Sequence, residues 1–114
     1  MTRGLGWIVL AAAVSLAVVT GVEASEGRLR PVGGAQVVVV WRNAKAQDEG
    51  AALIRAGVNK SDPSRLLPFI ACVVAPGTKA VTTTARIFSH DIRVVEGEHA
   101  GCVGNVPTEV FRRE

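Results

Sequence analysis

The chain has 114 residues, 48% of them apolar, with a formal charge of +3 and two cysteines. That length suits one compact domain and leaves no room for a second. Its bases are dispersed and only 4% of its residues are aromatic, which argues against the clustered basic surface of a nucleic-acid binder.

The first segment reads as an export signal. Arg3 supplies a positive start, Trp7 to Val19 form an apolar run broken only by Ser15, and Val22-Glu23-Ala24 ends it with small residues where a signal peptidase cuts. Residues 1–24 are therefore expected to be a cleaved secretory signal peptide, because the run is short for a spanning helix, which needs about 20 apolar residues. No other membrane segment is expected. Removing residues 1–24 takes away one base, Arg3, and one acid, Glu23, so the charge stays at +3. In an oxidising compartment two cysteines pair most simply as one disulfide, Cys72 with Cys102.

Residues 25–35 carry three glycines, a proline and two arginines without periodicity, and are expected to be a flexible lead-in. Gln36 to Trp41 is a run of valines ending in tryptophan, which predicts a strand. Because its apolar residues are consecutive, both faces are expected to be covered. Asn43 is a good N-cap, and Ala46, Gly50, Leu53, Ile54 and Gly57 recur at helical spacing, so a helix follows with Gly57 past its end. Gly50 costs that helix about 1 kcal/mol relative to alanine, which points to a close approach by another part of the chain.

Asp62 and Pro63 start a short helix that carries Leu66 and Leu67 inward and stops at Pro68. Phe69 to Ala75, with Cys72, reads as a buried strand. Pro76-Gly77-Thr78 has the residues of a type II turn, across which the chain is expected to reverse and pair with itself. Lys79 to Ile87 alternates as a half-exposed antiparallel strand, with Thr83 out of phase. Asp91 to Val95 is a further strand, Glu96-Gly97-Glu98 a turn, and Gly101 to Gly104 a glycine-bent strand. After Pro107, Glu109-Val110-Phe111 is expected to close the sheet. The fold class is mainly β with one N-terminal helix (α+β).

Cys72, Gly77-Thr78, Val94-Val95-Glu96-Gly97 and Gly101-Cys102-Val103-Gly104-Asn105-Val106 together resemble the Src-homology-3-like (SH3-like) barrel domains of exported bacterial proteins. The resemblance covers Phe69 to Phe111. It implies a small antiparallel barrel, here preceded by a strand and a helix, so that residues 36–114 form a single small SH3-like domain. It also implies a binding or wall-associated role. Asn105 stands where that pattern carries a tryptophan, an aromatic residue of the kind that lines the ligand groove.

Two constellations invite a catalytic or metal reading. Ser89-His90-Asp91 has the residue types of a nucleophilic relay, but neighbours in a strand point to opposite sides. Cys72, His90, His99 and Cys102 have the composition of a zinc site, although only His99 and Cys102 have ligand spacing, and cysteines of exported proteins are more often a disulfide. No catalytic, cofactor or metal residue is therefore assigned. The sequence is read as a non-enzymatic binding or structural module of the bacterial envelope, periplasmic or secreted, with a protein, peptide or glycan partner and no nucleic acid. The alternatives are a small exported metalloprotein or hydrolase using His90 and His99 with the cysteines, and a secreted enzyme inhibitor.

Overall fold

A computed structural model describes residues 25–114, so the expected signal peptide lies outside the described residues. The strands are β1 (Glu26–Leu29), β2 (Val38–Trp41), β3 (Ile70–Val74), β4 (Thr78–Ala85), β5 (Ser89–Val94), β6 (Val103–Pro107) and β7 (Phe111–Arg113). Helix α1 (Ala44–Arg55), the single turn α2 (Val58–Ser61) and a 3₁₀ segment at Pro63–Phe69 lie between β2 and β3, and a 3₁₀ turn at Thr108–Val110 separates β6 from β7. The strands form one antiparallel sheet in the order β3-β2-β6-β5-β4-β1-β7. It is an open sheet, mostly β with a few helices, and its two edges are β3 and β7.

Residues 25–35 are not wholly a lead-in. Glu26–Leu29 sits between β4 and β7, with Leu29 opposite Thr78 on one side and Phe111 on the other. Leu29 is fully buried in the core. The strand was hidden in the sequence because a single apolar residue anchors it. The rest of its hold is ionic and steric: Arg28 donates to Glu114 at 2.8 Å and to the Gly77 carbonyl at 2.9 Å, and Gly27 is small because the Arg112 backbone and the Phe111 ring press on it.

The helix begins where the sequence places it. Asn43 is extended, and its side-chain oxygen accepts from the Ala46 N–H at 2.7 Å, so the cap is satisfied. Gly57, at φ +83°, lets the chain leave the helix. Of the two leucines expected to face inward in the next segment, Leu66 is buried and Leu67 is exposed, and the 3₁₀ segment runs through Pro68 to Phe69.

The Pro76-Gly77 turn forms, with Gly77 at φ +86° and the Thr78 N–H donating to the Ala75 carbonyl at 3.2 Å, but the hairpin expected across it does not: β3 pairs with β2, and β4 with β1 and β5. The irregular position Thr83 coincides with a bulge, where the β4–β5 register shifts between Thr82 and Thr84. The expected last strand is displaced by a turn: Glu109 and Val110 belong to the 3₁₀ turn, and β7 starts at Phe111.

All seven strands curl about one core. Leu29, Val38, Val40, Val74, Ala80, Ile92, Val94, Val106, Val110 and Phe111 form it with Cys72. The Cys72–Cys102 disulfide ties β3 to the residue before β6, with 6.6 Å between Cα atoms. A disulfide suits an oxidising setting outside the cytoplasm. Among the described residues no helix is long and apolar enough to cross a membrane.

Candidate binding groove

β2 alternates. Val38 and Val40 point into the core, and Trp41 is buried on the other face beneath α1. The cap at Asn43, two residues on, turns the chain back across that second face. Trp41 meets the helix at Gly50: its indole fills the space that a β-carbon there would need. The head of the helix is thus drawn close to the sheet, with Ala46 and Gly50 as its two buried residues.

Farther along, the cover stops. Val37 is about half exposed and Val39 partly exposed, and Ile54 near the end of α1 reaches solvent. The expectation that both faces of the valine run are covered fails here, and what replaces the cover is a groove. It is lined by Val37, Val38, Val39 and Trp41 of the valine run, Gln47, Ala51, Ile54 and Arg55 of α1, Pro31, Val32 and Ala35 before β2, and Pro107 and Val110. Its volume is about 390 Å³, within the usual range for ligand clefts.

A buried polar chain braces the head of this groove. Asn105 is fully buried, and every polar site of its amide is used. Its oxygen accepts from Gln47 of α1 at 3.1 Å, and its nitrogen donates to the Ser89 hydroxyl at 3.1 Å and to the Asp91 carboxylate at 3.0 Å. The other Asp91 oxygen accepts from Arg86 at 2.9 Å. Burial alone pushes the Asp91 pKa up, but the hydrogen bonds from Asn105 and Arg86 and the guanidinium charge outweigh it, and the carboxyl is held below its usual range. Asn105 therefore does not line an open cleft in place of an aromatic residue: it is the internal tie between helix and sheet.

Ser89 and Asp91 share the Asn105 amide, whereas His90 points the other way and packs edge-on against Phe111, ring centres 5.5 Å apart. Its Nδ1 is buried without a hydrogen-bond partner among the described residues. The Ser-His-Asp relay is thus not assembled. Cys72 and Cys102 are joined to each other, and His99 lies 3.9 Å from Glu98 on the rim of a separate shallow depression that the disulfide, Arg42 and Val103 also line. Among the described residues no three His, Cys, Asp or Glu side chains converge as a metal site.

A feature that the sequence reading passed over stands beside the groove. Ile87 and Phe88, at the β4–β5 connection, are 82% and 84% exposed. The tip is held from below: Thr108 donates from its hydroxyl to the Ile87 carbonyl and from its N–H to the Phe88 carbonyl, both at 3.1 Å, and the Arg86 N–H donates to the Ser89 carbonyl at 3.0 Å. The available signal was two adjacent large apolar residues inside a predicted connection. No protein-family model, curated protein or solved structure matches this chain.

Proposed function

We propose that this chain is an exported, non-enzymatic binding module of the bacterial envelope, released by cleavage after about residue 24, whose groove between β2 and α1 takes an apolar segment of a protein partner. The observation that carries the reading is the second face of β2: a consecutive valine run that the fold covers at Trp41 and leaves open at Val37 and Val39. Exposed contiguous apolar surface rimmed by polar residues marks interaction sites. The disulfide supports an extracytoplasmic setting.

The SH3-like architecture is part of the same proposal. It is supported by the β4–β5–β6 meander, the single 3₁₀ turn after it, the return of β7 to pair with β1, and one core to which every strand contributes. In this reading β2 and α1 precede the barrel, β3 with Cys72 is the strand on which the resemblance begins, and the groove lies where β2 and α1 meet residues before β2 and after β6.

The test is a comparison of two immobilised baits, the exported protein with its disulfide formed and its Ile54→Asp variant, against detergent-solubilised envelope proteins. Proteins retained by the first and released by the second support the reading. Identical retention on both baits, with circular dichroism showing both folded, defeats it.

A further inference from the structure

The groove and the apolar tip belong to one surface. Thr108, which anchors the Ile87–Phe88 tip, lies in the three-residue 3₁₀ turn whose neighbour Pro107 and member Val110 close the end of the groove. Gln47 of α1 lines both the groove and the cleft under the tip. The molecule thus carries, side by side, a rigid apolar projection and an apolar concavity of about 390 Å³, room for two large side chains.

We propose that the partner of the groove is a second copy of this chain, in a two-fold dimer in which the Ile87–Phe88 tip of each copy fills the groove of the other. This rests on the groove being a protein-binding site, and it names the occupant. Adjacent projection and cavity are what a two-fold contact requires, since the same patch must complement itself, and such a contact closes at two copies instead of growing into a filament.

Charge and area point the same way. Asp48 lies beside the tip and Arg55 beside the groove, two turns apart on α1. Neither is in an ion pair among the described residues. Seating each tip in the opposite groove carries Asp48 of one copy toward Arg55 of the other, twice over. Covering Ile87, Phe88, Val32, Val37 and Ile54 removes on the order of 500 Å² of apolar surface per copy. That is the apolar share of an interface of about 800 Å² per partner, the size of an ordinary specific complex. The backbone of the tip is already bonded to Thr108, so docking costs chiefly side-chain freedom.

Sedimentation velocity on the exported protein, disulfide formed, tests this across nanomolar to high micromolar concentrations. A reversible monomer–dimer equilibrium is expected. Phe88→Ser in the tip and Ile54→Asp in the groove each weaken it by at least about thirtyfold. Phe88 faces solvent and Ile54 reaches it from the groove wall, and far-ultraviolet circular dichroism should show both variants folded. Asp48→Arg and Arg55→Asp each weaken the dimer, and the double variant restores it, a rescue only a self-complementary contact gives. A protein that stays monomeric throughout, a dimer indifferent to Phe88→Ser, or growth into larger oligomers overturns the proposal. So does monomeric protein that co-sediments with phosphatidylglycerol vesicles through Phe88, which makes the tip a lipid contact. If the protein is monomeric but Ile54→Asp still releases envelope proteins, the dimer falls and the binding module stands; if Ile54→Asp affects neither, both fall.

Discussion

The Trp41 indole occupies the volume that a β-carbon on Gly50 would take. Alanine is the better helix former by about 1 kcal/mol, so an exposed glycine there would be a simple target for stabilisation. Here the obstacle is the body of an aromatic ring, and overpacking of that kind costs about 1–3 kcal/mol. Gly50→Ala is expected to lower the stability measured by urea unfolding, and the loss should shrink when combined with Trp41→Leu, which vacates the site. A stabilised single variant would mean that α1 does not press on Trp41.

Asn105 holds three side chains at once, so its removal strands Gln47, Ser89 and Asp91 together. Asn105→Ala is expected to cost about 2–3 kcal/mol, more than an average surface change, and to loosen α1 as seen by faster amide exchange at Gln47 and Ala51. Asn105→Trp, which restores the aromatic residue of the barrel pattern, has no room in a fully buried site and should fold poorly or not at all.

The depressed pKa of Asp91 fixes a direction for the acid response. Its carboxylate is favoured in the folded state, so the unfolded chain binds the proton more readily. The stabilisation is complete above the ordinary aspartate pKa of about 3.9 and is lost as pH falls through the lower folded value. Asp91→Asn should flatten this part of the curve of unfolding free energy against pH, and Arg86→Gln should move its midpoint toward the ordinary value.

Joining Cys72 to Cys102 closes a loop across 30 positions. On chain-entropy grounds this is worth about 3–4 kcal/mol, a large part of what so small a domain has. Replacing both cysteines by alanine should lower the unfolding free energy by that amount, and reduction of the unmodified protein should match it. The oxidised protein should weigh two hydrogen atoms less than the reduced chain.

The elements that were legible in the sequence are those with local chemistry behind them. Asn43 and Gly57 delimit α1, Pro76-Gly77 turns the chain, and Thr83 falls out of phase where the ladder bulges. What was not legible depends on contacts remote in sequence. β1 exists because β4 and β7 flank it, and Arg28 finds Glu114 across the whole domain. Asn105 reads as a lost aromatic in a short motif and becomes a hub only when Gln47 arrives from α1. The groove was not legible either: the five consecutive apolar residues Val37 to Trp41 read as a strand covered on both faces, and the fold supplies the second cover only at Trp41.

The ladder joining β2 to β6 consists of a single rung, Trp41 opposite Asn105. Beside it Gly104 lies so close to the Trp41 carbonyl and Val40 that a β-carbon there would have no room. Everything from β2 to β3, the groove-bearing helix included, is therefore fastened to the meander by one rung, the Gln47–Asn105 hydrogen bond, apolar packing and the Cys72–Cys102 bond. With the bond cut, hydrogen exchange should report two cooperative units where there was one: amides of Val39, Val40 and Val73 exchanging early through a partial opening, and those of Ile92 and Val94 exchanging only on global unfolding. The redox state of one cystine then decides whether the groove shares the lifetime of the whole domain.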